Sequence, residues 1–178
     1  MPVPGTGEDE FGLSFSEPVS STWAPRGQSP VLKRVGKYRR ELSTLACLTI
    51  TGKVFKKHFK GSINAEKVIV GLEHLHRHLC RPMILIWDHS RTHTSRMVQH
   101  YLAMHPEIHI EFLPAYAPEL NPEEYCHGNI KGDLRNAVFL STTDIRKNLD
   151  RGFGRLRRRP DLLLAFFHHA GLSLNQLW

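Results

Sequence analysis

The chain has 178 residues and a mass of 20.4 kDa, enough for one domain with a real core. It is 40% hydrophobic and 23% charged, the balance of a soluble globular protein. The formal charge of +7 and pI near 9.6 suit a polyanionic partner, since Lys and Arg neutralise phosphates. Cys47, Cys80 and Cys126 are scattered and form no C-x-x-C pair, which argues against a disulfide framework or a zinc ribbon. The start has neither a basic nor an apolar region of a signal peptide, and no apolar run is long enough to span a bilayer.

In chain order, residues 1–10 are rich in Pro, Gly and acid and read as a disordered tail. Phe11, Leu13 and Phe15 alternate with small residues, a short strand signal, and a turn-rich loop follows over residues 23–30. From Arg26 to Arg40 every charged residue is basic: Arg26, Lys33, Arg34, Lys37, Arg39 and Arg40. Residues 42–50 and 54–59 read as two strands joined by Thr51-Gly52-Lys53. Asn64 then caps a helix whose apolar face is Val68, Ile69, Leu72, Leu75 and Leu79. Pro82 ends that helix, and residues 83–87 form a fully buried strand running into Asp88.

Met97, Val98, Tyr101 and Leu102 mark a second helix closed by Pro106, and residues 108–113 make another strand. Asn121-Pro122 opens the next helix, with proline at its first position. Ile145, Leu149, Phe153 and Leu156 mark another, and residues 162–170 a last one. Strands first, then alternating helix and strand, predict an α/β layer structure with a mixed sheet.

Asp88 ends a buried strand, where ligands of open α/β sheets bind, although it also suits a simple loop turn. Glu124 falls at the third position of the helix opened by Asn121, where an acid suits both the capping box and the helix dipole. Glu119 and Glu123 are weaker rivals. His74, His76, His78 and Cys80 invite a zinc reading, but only His74 and His78 are i,i+4 neighbours, so a solvated helix face is favoured.

The segment Leu113-Pro-Ala-Tyr-Ala-Pro-Glu-Leu-Asn-Pro-Glu-Glu124 closely resembles the third-carboxylate motif of mariner-like bacterial insertion-sequence transposases of the DDE superfamily, L-P-x-Y-[SA]-P-[ED]-L-N-P-x-E. Ile84-Leu-Ile-Trp-Asp88 with His93 resembles their second-carboxylate motif, and Asp9-Glu10 with residues 22–30 resembles the first-carboxylate region. Residues 155–160 and 170–172 are similar too, so the likeness runs along nearly the whole chain. His89 stands where the family has Asn, and His127 where it usually has Trp.

The resemblance implies an RNase H-like fold over residues 11–178. It implies a triad of Asp9, Asp88 and Glu124 holding two Mg²⁺ (or Mn²⁺) ions, DNA cleavage at transposon ends, and strand transfer into target DNA. His93 would support the site from behind or position substrate. Arg26, Lys33, Arg34, Arg155, Arg157 and Arg158 are the candidate phosphate contacts.

The family places its first Asp on a central apolar strand, whereas Pro2, Pro4, Gly5 and Gly7 precede Asp9 here. The expectation is therefore that this first central strand is missing or degraded and that no N-terminal helix-turn-helix module is present. Three functions follow: a working DDE transposase catalytic domain, an inactive, truncated remnant acting at most as a basic DNA-binding protein, or, as a weaker third, a stand-alone nuclease without transposition. A homodimer and a separately encoded DNA-binding half are further partners the reading allows. Its place would be the bacterial cytoplasm, at the nucleoid, with no membrane partner.

Overall fold

The computed structural model describes residues 5–13 by their backbone, together with 20–21, 23–28, 31, 42–114 and 117–172. Its centre is a five-stranded sheet of β1 (Gly5–Leu13), β2 (Leu42–Thr49), β3 (Val54–Lys60), β4 (Met83–Trp87) and β5 (Ile108–Phe112), in the order β3-β2-β1-β4-β5. β2 is antiparallel to both β1 and β3, while β1, β4 and β5 run parallel. The helices are α1 (Ala65–Leu79), α2 (Arg96–Ala103), α3 (Pro122–Asp133), α4 (Thr142–Arg157) and α5 (Pro160–His169).

Side chains alternate across a strand, so the sheet sorts its residues between two cores. On β2, Leu42, Ala46 and Leu48 join the core under α3, α4 and α5, with Ile130, Ile145, Leu149, Phe153, Leu156, Leu163 and Phe167. Cys47 of β2 and Met83, Leu85 and Trp87 of β4 join the other core, under α1 and α2, with Val68, Leu72, Leu75 and Val98. The expected elements from residue 42 onward are all present, with ends shifted by a few residues.

Local chemistry explains the boundaries. Asn64 accepts from the Lys67 N–H to start α1, Ser95 from Val98 to start α2, and Ser141 from Asp144 to start α4. The β2–β3 turn closes with Thr49 N–H donating to Lys53 at 2.9 Å and Gly52 N–H donating to Thr49 at 2.9 Å. Gly52 has a φ of +72°, and a Cβ there would meet the Pro160 Cβ at 3.0 Å, so both the turn and the seat of α5 call for glycine.

The expected loss of the first central strand is corrected. Residues 5–13 form β1, in the middle of the sheet, paired from Thr6↔Thr49 to Leu13↔Leu42 on one side and from Gly5↔Ile84 to Gly7↔Ile86 on the other. Residues 5–10, expected in a tail, thus belong to the sheet, and residues 1–4 lie outside the described residues. Both prolines precede Gly5, so every position of β1 keeps its N–H. With a strand on each side, the ladder itself supplies the stability that the local composition does not.

Candidate metal-binding active site

Three segments carry the predicted acids: β4, β1 and the first turn of α3. β4 ends at Trp87 and delivers Asp88. The β1–β4 pairing ends at Gly7↔Ile86, two residues before both Asp9, which pairs with Ala46 of β2, and Asp88. β5 leaves the sheet beside β4, with Leu113 N–H donating to the Trp87 carbonyl at 2.7 Å, and leads into α3, which packs on β1 and β2. Asn121 caps α3 by accepting from Glu123 N–H at 3.1 Å, Pro122 takes its first position, and Glu124 lies exposed on its first turn.

The Asp88 carboxylate is the best defined of the three. Its Oδ1 accepts from the Ser90 N–H at 3.0 Å and lies 2.6 Å from His93 Nδ1. His93 donates that proton, because the hydrogen bond, reinforced by Ser90, holds the Asp88 carboxyl below its ordinary value against the opposing effect of burial. Both bonds fall on Oδ1, and the side chain stays about half exposed (47%), so the group can still meet a ligand. The His93 ring is fully buried and stacks on Trp87, with centroids 4.1 Å apart and planes 12° apart. Among the described residues no hydrogen-bond partner reaches His93 Nε2, so the ring's polar work is directed at Asp88. The family resemblance implied a supporting role for His93 but gave no contact; the fold supplies the contact to Asp88.

The two departures from the family pattern are both accommodated. His89 stacks on Phe112 at 4.5 Å. His127 is buried beside Glu123, and burial, then Lys131, lowers its pKa to about 3. It is therefore neutral, and its 3.6 Å approach to the Glu123 carboxylate is not an ion pair. Glu123, a weaker rival for the third acid, is fully buried, whereas Glu124 faces outward. Glu119 lies in a short 3₁₀ turn whose carbonyl accepts from the Tyr125 hydroxyl at 3.2 Å.

The candidate DNA contacts divide. Arg26 sits exposed in a turn closed by Gln28 N–H to the Pro25 carbonyl. Lys33 and Arg34 lie outside the described residues. Arg155 reaches Asn129 and Asp133, each at 2.6 Å, and so ties α4 to α3. Arg157 Nε donates to the Val54 carbonyl at 3.3 Å and joins Lys53, Lys56, His74 and His78 around a basic cavity, and Arg158 is exposed.

A profile of the DDE superfamily endonucleases matches residues 8–146, from β1 into α4. This chain belongs to that family. As a DDE superfamily endonuclease it shares its fold with a Mos1 transposase paired-end complex with left transposon end (TM-score 0.66, 20% identity, 94% of this chain and 56% of that one). It is similar also to the Mos1 mariner paired end complex with Mn (0.66, 21%, 90% and 54%) and to the catalytic domain of Mos1 mariner transposase (0.54, 18%, 96% and 84%). At these identities the likeness is one of fold, the RNase H-like mixed sheet flanked by helices. The chain spans about half the length of the Mos1 chains in those paired-end complexes. No curated protein sequence matches it. Among the described residues no helix is long and apolar enough to cross a membrane.

The histidines set an acid limit on this fold. Burial, then Lys56 and Arg146, lower the His58 pKa to about 4, so its contact with Asp150 at 3.2 Å is a hydrogen bond and not an ion pair at neutral pH. His58 and His127 bind protons less readily folded than unfolded, where histidine titrates near about 6.5. Stability is therefore fully present above that value and falls as pH drops through it toward about 4 for His58 and about 3 for His127. Asp88, lowered when folded, adds to the loss only below its ordinary 3.8. The melting temperature is expected to be lower at pH 5 than at pH 7.5, and equal values would refute the neutral burial of both rings.

Proposed function

We propose that this chain is the catalytic domain of a DNA transposase, cutting DNA at transposon ends and joining those ends to target DNA with the help of divalent metal. What supports the reading is the intact central strand β1, which carries Asp9 and pairs with the strand that ends in the ionised Asp88. It also removes the reason for reading the chain as an inactive remnant. Residues 11–178 would form one catalytic domain, completed by the first half of β1.

Asp9, Asp88 and Glu124 would hold the metal. Carboxylate oxygens are the ligands that hard cations prefer, and the donor set offers no thiolate or imidazole to favour a softer ion, so Mg²⁺ or Mn²⁺ fits. Two bound ions would lower the pKa of an attacking water or 3′-hydroxyl and stabilise the leaving oxygen. Asp88 contributes a carboxylate already ionised at neutral pH, and His93 fixes its rotamer from behind. Glu124 contributes from a helix turn that Asn121 has capped without using the glutamate side chain. Arg26, Lys33, Arg34, Arg157 and Arg158 would grip phosphates, releasing counterions. Arg155 would do so alongside its tie to Asp133. The partners would be transposon ends and target DNA, with a homodimer and a separately encoded DNA-binding half completing the machine, in the cytoplasm at the nucleoid.

The test combines Mn²⁺ and Mg²⁺ calorimetry, with and without DNA, with nicking of supercoiled plasmid and joining of a 3′-hydroxyl oligonucleotide. Metal-dependent nicking with joining is the expected result. Nicking without joining would make the chain a nuclease instead, and an absence of divalent-metal binding even with DNA present would sink the enzyme reading.

A further inference from the structure

At the opposite edge of the sheet from Asp88, three side chains that sequence spacing keeps apart converge. His76 lies in the last turn of α1, His105 just past the end of α2, and Glu107 immediately before β5. Glu107 is beside the start of β4, where Met83 N–H donates to its carbonyl at 2.9 Å. Five strand residues therefore separate it from Asp88, about 16 Å at the usual rise.

The geometry points to a second metal site here, made of His76, His105 and Glu107 and suited to Zn²⁺ or a similar transition-metal ion. One ligand atom from each residue lies within 4.8 Å of the other two. Glu107 Oε1 is 2.9 Å from His105 Nδ1 and 3.7 Å from His76 Nδ1. Ligands at zinc-bond lengths on a tetrahedron stand about 3.3 Å apart, so these separations bracket the required edge. Two imidazoles and a carboxylate form a donor set that zinc accepts and magnesium does not favour.

The backbone under each ligand is fixed. Cys80 N–H donates to the His76 carbonyl at 2.8 Å, His105 N–H to Leu102 at 3.0 Å, and Ile108 N–H to His105 at 3.0 Å. The two imidazole rings meet edge-on, with centroids 6.4 Å apart. The three side chains are 29–36% exposed, which leaves an ion a path in and a fourth position for water. Such an ion would staple the end of α1 to the turn between α2 and β5, a connection distinct from the candidate site at Asp88. His74 and His78, also on α1, line the basic cavity with Lys53, Lys56 and Arg157, where a cation is repelled.

The experiment is zinc calorimetry on the tag-free protein in excess Mg²⁺, with Co²⁺ absorption reporting coordination geometry. One equivalent of Zn²⁺ should bind, and Co²⁺ should give the intense visible bands of a tetrahedral site. His76→Ala and His105→Ala should each weaken binding by at least about 100-fold, more than a change behind the ligands does. Glu107→Gln, which keeps the side-chain shape, should weaken it too and covers the case in which an alanine variant fails to fold. His74→Ala and Asp88→Asn should leave zinc affinity unchanged. Zinc binding that survives loss of both His76 and His105, that depends on His74, or that does not occur would overturn the proposal.

Discussion

Replacing Asp88 by asparagine is expected to lower metal-dependent DNA cleavage by about 10²–10³-fold, the scale for deleting one electrostatic stabiliser from an active site. The substitution keeps the side-chain shape, and an amide oxygen can still accept from Ser90 N–H. What disappears is the charge that the His93 and Ser90 hydrogen bonds hold in place. Activity should therefore fall with little change in melting temperature, and Mn²⁺ affinity should fall with it. Glu124→Gln should behave in the same way, because the cap of α3 is made by Asn121 and not by Glu124. His93→Phe preserves the stack on Trp87 but removes the hydrogen bond to Asp88, so its loss should be about 10–100-fold, as for groups that orient a metal ligand. The graded order, Asp88 before His93, is the signature of a ligand and its support. Retention of wild-type cleavage within about tenfold by Asp88→Asn would remove Asp88 from the chemistry, because a charge used in the transition state cannot be lost so cheaply.

Where the sequence was legible, its signals were local. The Val68, Leu72 and Leu75 stripe, the Asn64 and Asn121 caps and the run from Met83 to Trp87 each carry their own structural preference, and each element formed where that preference placed it. In β1, Phe11 and Leu13 gave a short strand signal, but residues 5–10 failed that test because glycine and acid give none; their stability comes from β2 and β4 on either side, and no window of one sequence contains those partners. The motif around Glu124 pointed to a candidate site, but the bond between His93 and Asp88 depends on a loop closing by Thr94 N–H to the Ser90 carbonyl, which spacing does not encode. The same holds for His76, whose companions are not its helix neighbours His74 and His78 but His105 and Glu107 from another part of the chain. Arg155 shows the converse: a basic cluster reads as phosphate contact, and only packing reveals that one member also bridges Asp133 across α3 and α4.

Phe153→Ala is expected to destabilise the fold by about 3–5 kcal/mol, the usual cost of removing a buried aromatic ring. Against a total stability of about 5–15 kcal/mol, that is enough to leave a measurable unfolded fraction at physiological temperature. Phe153 is fully buried in the core that joins α3, α4 and α5 to β2, with Ile130, Leu149, Leu156 and Phe167 in the same cluster, so several elements would border the cavity. The ring has a second role at its upper edge. Lys56 Nζ lies 5.2 Å from its centroid and His58 6.3 Å, beneath a polar group in which Lys56 pairs with Asp150 and His58 meets Thr44 at 2.8 Å. Burial is the main reason His58 titrates near 4, and Phe153 is part of what buries it. Water entering the cavity would raise the folded-state value back toward the unfolded one, shrinking the gap that makes acid destabilising. Urea unfolding should therefore show a larger loss for Phe153→Ala at pH 7 than at pH 5, where the wild type has already lost part of its His58 contribution. Equal losses at both pH values would mean that the ring does not shelter His58, and a loss below about 1 kcal/mol would mean that the core closes over the cavity.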